Sequence, residues 1–161
     1  MAPSASAATA YRWIAASSGK CLGVYNGSTA NGAAAVQWNC NADATDQYWS
    51  REPVSGRPGF YEIRNANSGM CLGTSQGGTS NGTAAIQWPC NGNPDQHWRT
   101  DRCTVSSPEG AFYAYMFVNQ AALNSGSSKC LGIKDGVQDN GAPALIWGCG
   151  NINNNPDQFW Q

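Results

Sequence analysis

The feature that most constrains this chain is a set of four short motifs that occurs three times in the same order. Each copy has Cys-Leu-Gly, then Asn-Gly, then Trp-x-Cys, then Gln-x-Trp. The first residues of these motifs are Cys21, Cys71 and Cys130; Asn31, Asn81 and Asn140; Trp38, Trp88 and Trp147; and Gln47, Gln96 and Gln158. A unit this short cannot bury an apolar face alone, so the three copies are predicted to share one core.

The secondary structure of each copy is predicted to be short β-strands joined by turns. No long segment has the 3.6-residue apolar period of a helix, and glycine, a turn residue, occurs 19 times. Each copy begins with a strand-like run, at residues 11–14, 61–64 and 115–118. The third copy has extra residues near 106–111 and 121–127, which are expected to be longer surface loops because insertions are tolerated there.

Six of the seven cysteines pair naturally within the copies. The predicted disulfides are Cys21–Cys40, Cys71–Cys90 and Cys130–Cys149. An Asn-Gly turn between two strands would bring each pair together, and closing a loop of ~20 residues could contribute ~3 kcal/mol in the chain-entropy model. Zinc binding is the weaker alternative, since the spacing is not that of a zinc site and the chain has one histidine. Cys103 is left as an unpaired thiol or, alternatively, an intermolecular disulfide.

The location and domain limits follow from the same observations. Many cysteines indicate an oxidising compartment, so the protein is expected to be secreted. Residues 1–10, mainly Ala, Ser and Thr, are interpreted as the remnant of an export signal or a disordered tail. Residues 11–161 are predicted to form one domain with repeats at about 11–54, 55–105 and 106–161. A net charge of −1 argues against nucleic acid as a partner, and no apolar run is long enough to span a membrane.

The complete pattern resembles the ricin-B-type lectin family, whose members fold as a β-trefoil and carry three Gln-x-Trp repeats. The matching motifs end at Trp49, Trp98 and Trp160 and extend over residues 11–161. The resemblance implies an all-β protein with threefold pseudo-symmetry, in which these three tryptophans meet in a shared core. It also implies a carbohydrate-binding module with up to three shallow sugar pockets, no catalysis and no cofactor or metal. The expected partner is an oligo- or polysaccharide, and a monomer is expected, with a disulfide dimer through Cys103 as the alternative.

The resemblance also assigns candidate sugar-binding residues. The aromatic platforms would be Trp38, Trp88 and Trp147, and the polar pairs would be Asp46-Gln47, Asp95-Gln96 and Asp157-Gln158. Tyr25, Asn26 and Asn39 would add polar and aromatic groups in the first copy, so the pockets are expected to be unequal. Each assignment has a structural alternative: packing beside the disulfide for the tryptophans, closure of a turn for the aspartates, and bonding to the hairpin backbone for the glutamines.

One position departs from the family pattern. The acidic residue that relatives carry two places after the first cysteine is Gly23, Gly73 or Gly132 here. The hypothesis is that the aspartate before each Gln-x-Trp motif supplies the missing carboxylate from the other side of the pocket.

Two other functions are weighed against sugar binding. A protease inhibitor would need one protruding loop, for which residues 106–110 are the candidate, but it would gain nothing from similar Trp and Asp groups in three copies. A glycosidase needs two carboxylates flanking one bond, whereas the repeated aspartates occur one per copy. The single histidine, His97, lies between Gln96 and Trp98 and is predicted to point outward.

Overall fold

The computed structural model describes residues 8–161, which form eleven antiparallel strands and one short helix. The predicted signal remnant or tail lies largely outside the described residues, although Ala10 already pairs with Ser50. The elements are β1 (Ala10–Tyr11), β2 (Cys21–Val24), β3 (Ala35–Trp38), β4 (Trp49–Pro53), β5 (Phe60–Asn65), β6 (Cys71–Thr74), β7 (Ala85–Trp88), β8 (Trp98–Ser107), β9 (Gly110–Asn119), α1 (Gln120–Asn124), β10 (Lys129–Ile133) and β11 (Ala144–Gly148). No helix in this part of the chain is long and apolar enough to cross a membrane.

The strands that begin and end the copies form a closed barrel. β1 pairs with β4, and the ladder continues through β5 and β8 to β9. The last residues complete the ring, because Trp160 bonds to Tyr115 of β9 while Gln161 bonds to Ile14. Closure leaves no free sheet edge around the barrel.

Each copy also contributes a hairpin, formed by β2–β3, β6–β7 and β10–β11. The hairpins bond to one another in a triangle, since Ala34 bridges to Ile86, Val36 to Pro143 and Ala84 to Leu145. A six-stranded barrel with three such hairpins is the predicted β-trefoil. The fold prediction is therefore confirmed.

The tryptophan of each Gln-x-Trp motif lies in the shared core, as predicted. Trp49, Trp98 and Trp160 are all fully buried. Each indole Nε1 donates to the carbonyl of the leucine in the Cys-Leu-Gly motif of its own copy, at 2.9 Å for Leu22 and Leu72 and 3.1 Å for Leu131. These bonds satisfy buried donors and explain why the two motifs occur together.

The three predicted disulfides are all formed, and each joins cysteines separated by 19 positions. Cys103 lies half-buried on β8 as a free thiol. The Asn-Gly pairs make the predicted turns, with φ of 80°, 86° and 84° at the glycines Gly32, Gly82 and Gly141.

Three local predictions are wrong: two loops in the third copy, and the outward orientation of His97. The extra residues near 106–111 extend β8 and β9 into one hairpin whose ladder runs from Trp98↔Asn119 to Ser107↔Gly110, so only a tight turn protrudes. The extra residues after β9 begin with α1, which packs against the turn at Pro94–Gln96. This helix covers His97, which is 7% exposed rather than outward, with its Nδ1 3.1 Å from the Gln120 amide.

Candidate functional site

Three equivalent clefts lie on the protein, one for each copy. Each is bounded by the exposed tryptophan of a Trp-x-Cys motif and the aspartate before a Gln-x-Trp motif. Cleft 1 contains Trp38 and Asp46, cleft 2 contains Trp88 and Asp95, and cleft 3 contains Trp147 and Asp157. Their volumes are about 400, 480 and 670 Å³. The structure thus brings the predicted tryptophans and aspartates together in pairs.

The tryptophans are surface residues and not core residues. Trp38, Trp88 and Trp147 are 45%, 44% and 49% exposed, at the ends of β3, β7 and β11. This exposure favours the platform assignment over packing beside the disulfide. An indole left this exposed offers a flat apolar face to a ligand.

Each indole is backed by the Asn-Gly turn of a neighbouring copy. A Cβ atom added to Gly141 would lie 3.3 Å from Cζ3 of Trp38. Gly32 approaches Trp88 and Gly82 approaches Trp147 in the same way. Each cleft is therefore shared between two copies, which the repeat pattern alone did not reveal.

The aspartates hold one carboxylate oxygen in place and leave the other without a protein donor. Oδ2 of Asp46 accepts from Val24 N at 3.0 Å, and Oδ2 of Asp157 accepts from Ile133 N at 3.1 Å. The bond from Thr74 N to Asp95 is longer, at 3.4 Å. Among the described residues no hydrogen bond from another residue reaches Oδ1 of any of the three.

The glycines that replace the family's acidic residue make room for these carboxylates. A Cβ atom at Gly23 would lie 2.8 Å from Oδ2 of Asp46, closer than real Cβ atoms approach. The corresponding distances are 2.9 Å from Gly73 to Asp95 and 2.6 Å from Gly132 to Asp157. None of these glycines has a positive φ, so space, and not backbone conformation, requires glycine here. A side chain at the glycine and the aspartate carboxylate compete for one place.

The glutamines lie beneath the clefts and are fully bonded to backbone. Gln47 is 3% exposed; its Nε2 donates to Asn39 O at 3.0 Å, and its Oε1 accepts from Asn41 N at 2.8 Å. Gln96 and Gln158 bond the equivalent loops. Each amide uses both its nitrogen and its oxygen to hold the backbone beneath the cleft, so the structural alternative fits these glutamines better than the assignment as sugar ligands.

In clefts 1 and 2, an asparagine side chain of the next copy bonds to the turn that contains the aspartate. Asn65 Nδ2 donates to Asp46 O at 2.7 Å, and Asn119 Nδ2 donates to Asp95 O at 2.9 Å. The equivalent position facing Asp157 is Ala15, which bridges to Trp160 but has no amide to donate. The turn of cleft 3 therefore lacks this tie.

The floor of each cleft is the glycine, aspartate and glutamine described above, and its rim is the exposed residues around the opening. The rims of the three clefts differ more than their floors. Asn26, Gln76 and Asp135 adopt left-handed φ of 54°, 53° and 56° and line clefts 1, 2 and 3. The sequence singled out Asn26 but not Gln76. Tyr25 is 51% exposed and is not among the residues that line cleft 1, whereas Asn39 is.

A second rim difference comes from the residue after each platform tryptophan. Asn39 N donates to Oδ1 of Asn140, and Gly148 N donates to Oδ1 of Asn81, both at 2.9 Å. Cleft 2 has Pro89 at this position, which has no N–H to donate. No hydrogen bond within the described residues ties the Asn31 side chain to this cleft.

The electrostatics of clefts 2 and 3 reflect partial burial of their carboxylates. Burial raises the pKa of Asp95 above its ordinary value of 3.8, and the hydrogen bond from Thr74 and the charge of His97 partly oppose this. Burial also raises the pKa of Asp157, against the opposing hydrogen bond from Ile133. Because burial removes water from both carboxylates, a hydrogen bond from a ligand hydroxyl would be favourable there.

Comparison with known proteins agrees with this architecture. The family described as ricin-type beta-trefoil lectin domain-like matches residues 4–57 and 45–147. The designed threefold symmetric protein ThreeFoil is 26% identical, with a TM-score of 0.77, and the match covers 94% of this chain and 96% of that one. No curated protein matches the sequence significantly.

Two natural proteins have similar structures. An exo-beta-1,3-galactanase from Clostridium thermocellum is 25% identical, with a TM-score of 0.81 over 95% of this chain; the match spans only 29% of that enzyme chain. The Rhizoctonia solani agglutinin has the same fold, with a TM-score of 0.71 at 18% identity, and the match covers 99% of this chain and 97% of that one.

Proposed function

Since this chain belongs to the ricin-type β-trefoil lectin domain-like family and is a carbohydrate-binding domain, we propose that its three Trp–Asp clefts are the sugar-binding sites. The observation that carries this proposal is the recurrence, in all three copies, of an exposed indole beside a carboxylate with one unoccupied oxygen. The recurring Trp49, Trp98 and Trp160 fill the core, whereas the three cleft indoles are about half exposed, which fits contact with a ligand.

The chemistry of a pyranose fits this pair. Its C–H face matches the apolar indole, and burying that face gains free energy roughly in proportion to the area removed from water. Its hydroxyl groups donate to the free Oδ1 of the aspartate, and a charged acceptor makes a stronger hydrogen bond than a neutral one. The bond from Val24 N, or its equivalent, fixes the carboxylate before the sugar arrives, which lowers the ordering cost of binding.

The proposed ligand is an oligo- or polysaccharide that engages more than one cleft. Open clefts with one platform each should bind weakly, and a polymer that reaches two or three of them gains affinity through effective concentration. In this proposal the domain holds a polymer and performs no chemistry on it. Any partner enzyme would be a separate unit, as in the galactanase, of which the similar region is a minor part.

The proposal includes an extracellular, monomeric protein. Three disulfides in one small domain are typical of an oxidising compartment. Burial, and then the charge of Asp101, raise the pKa of the Cys103 thiol, which disfavours the thiolate that forms intermolecular disulfides. A single monomer band on a non-reducing gel is the expected result.

The test is retention on a panel of immobilised neutral glycans. Replacing all three aspartates by asparagine (Asp46→Asn, Asp95→Asn, Asp157→Asn) keeps the side-chain size and an oxygen for the backbone N–H but removes the charge. We expect at least a tenfold loss of affinity. A matched control, Asp43→Asn with Asp139→Asn, removes charge from residues outside the cleft linings and should bind normally. Equal retention of the triple variant and the wild type would reject the carboxylates as ligands.

A further inference from the structure

A fourth cleft, of about 500 Å³, lies apart from the three Trp–Asp clefts. It runs beside β1 and reaches β4, β9 and the last residue. Its lining consists of Ala8, Thr9, Tyr11, Arg12, Trp13, Arg51, Tyr115 and Gln161. None of these residues lines clefts 1–3, and none belongs to the recurring motifs, so the threefold pattern does not account for it.

The cleft contains two arginines, Arg12 and Arg51, that form no ion pair with a residue that the structure describes. Within the described residues neither Arg12 nor Arg51 has a carboxylate within 4.0 Å, and no acidic side chain lines the cleft. In contrast, Arg64 and Arg99 lie 2.9 and 2.7 Å from carboxylates. A guanidinium remains protonated at any ordinary pH, so both charges persist in a protein whose net charge is −1.

The two arginines differ in how many contacts hold the side chain. Arg51 is fixed: its Nη1 donates to Thr100 Oγ1 at 3.0 Å, and its guanidinium lies 4.4 Å from the Tyr61 ring centre. Arg12 has one such contact, at 5.7 Å from the Tyr48 ring, and its side chain is partly exposed. Arg12 is therefore the arginine that can turn to a ligand at low cost.

Aromatic groups form the rest of the wall. Tyr11 is 59% exposed, and Tyr115 packs edge-on against Trp13 with ring centres 5.6 Å apart. Trp13 is 7% exposed, and its Nε1 is a buried donor without a partner among the described residues. An unpaired buried donor is costly, so this indole N–H would gain from any polar partner that reaches it.

From this combination we propose that the fourth cleft binds a carboxylate-bearing pyranose, such as the uronic acid residue of an acidic glycan. The guanidinium of Arg12 pairs with the carboxylate through two parallel N–H···O bonds, with Arg51 adding charge behind it. The exposed ring of Tyr11 takes the C–H face of the sugar, and the volume suits one or two sugar residues. The site is independent of the three Trp–Asp clefts.

The experiment uses the full chain with the three cleft aspartates replaced by asparagine, labelled with ¹⁵N. The indole N–H signal of Trp13, assigned by its loss in Trp13→Phe, is followed during titration with D-glucuronate, D-glucose or acetate. We expect a saturable shift with glucuronate and at least a fivefold smaller shift with glucose or acetate at equal concentration. Arg12→Gln should weaken glucuronate binding at least fivefold.

The matched control is Arg102→Gln, because Arg102 also stacks on a tyrosine, at 4.6 Å from the Tyr113 ring, but lies outside the cleft. It should leave the titration unchanged. No Trp13 shift with glucuronate, an equal shift with glucose or acetate, or unchanged binding in Arg12→Gln would each overturn the proposal. Because the aspartates are already replaced, failure of the neutral-sugar sites would be seen separately, as retention of neutral glycans by this background.

Discussion

The floors and the rims of the three clefts have diverged to very different extents. Every floor has the same glycine, the same aspartate with one oxygen bonded to a backbone N–H, and the same buried glutamine. The rims carry Asn26, Gln76 or Asp135. In clefts 1 and 3 the backbone N–H after the platform tryptophan donates to an asparagine of another copy, whereas cleft 2 has Pro89 there. The floor residues therefore depend on one another, because the glycine makes room for the aspartate carboxylate. The rim residues face water and can vary independently.

The largest effect should be seen when a residue that stabilises the fold and a residue that contacts the sugar are replaced separately in cleft 1. Gln47→Ala removes two partly buried hydrogen bonds, one to Asn39 O and one from Asn41 N, each worth a net ~0.5–1.5 kcal/mol, and leaves a cavity where the side chain of this 3% exposed residue was. Trp38→Ala removes a side chain that is 45% exposed, so it should lower sugar affinity and change stability much less. Urea unfolding and glycan titration of both variants check this. A Trp38→Ala variant as unstable as Gln47→Ala would mean that the indole supports the fold.

The next effect concerns the close contact between glycine and aspartate. Gly132→Ala would place a Cβ atom 2.6 Å from Oδ2 of Asp157, so the carboxylate must move and its bond from Ile133 N is lost. Overpacking of this kind costs ~1–3 kcal/mol. Gly126→Ala, at a glycine with open space but positive φ, separates backbone strain from crowding. Calorimetric melting gives the stability change, and an unaltered melting temperature and affinity in Gly132→Ala would contradict the coupling.

A smaller effect is expected from pH. In the proposed sites the ionised carboxylate accepts the sugar hydroxyl. Burial raises the pKa of Asp95 and Asp157, so these groups take up protons at a higher pH than an ordinary aspartate. As the pH falls towards and through those raised pKa values, affinity at clefts 2 and 3 should fall, about tenfold per unit once protonation dominates. Titrations from pH 7 to 3.5 with a single-cleft variant measure this. Affinity that stays constant down to pH 3.5 would exclude the carboxylates as ligands.

The smallest effect should appear at the rim. Asn140→Ala removes the acceptor for Asn39 N, a net loss of ~1 kcal/mol or less at an exposed site. Asn31→Ala should cost less in stability, because Pro89 has no N–H for it to accept from. The two unfolding curves compare these variants directly. Equal losses would show that the asparagines act through their turns and not through this bond.

Much of the fold could be predicted because the chemistry of the repeated residues indicates their structural roles. Trp49 and its equivalents need a core, the cysteines need a turn that brings them together, and Asn31-Gly32 makes such a turn. The pairing of Trp38 with Gly141 could not be read from the sequence, because it joins different copies at a distance set by the closed triangle of hairpins. His97 was misplaced for a related reason: α1, an insertion in the third copy, covers it.

The residue types of the proposed clefts could be predicted from the sequence. Which of those residues face the cleft and which lie beneath it could not. Asp46 and Gln47 are adjacent polar residues, and nothing in their order tells which one faces the cleft and which lies under it. The turn at Thr45–Gln47 decides this, since it leaves the aspartate half-exposed and buries the glutamine. The rim residues Gln76 and Asp135 carried no sequence signal beyond their place before a glycine.

The central claim is that the aspartate before each Gln-x-Trp motif replaces the acid missing at the glycine. The direct measurement is calorimetric titration of cleft 1 alone, in a background of Trp88→Ala and Trp147→Ala, with the best neutral ligand from the glycan panel. Adding Asp46→Asn should lower the affinity at least tenfold. In a separate Asp46→Ala variant, which empties the place that a side chain at position 23 needs, adding Gly23→Asp should restore part of the affinity. Unchanged affinity in the Asp46→Asn variant would contradict the account.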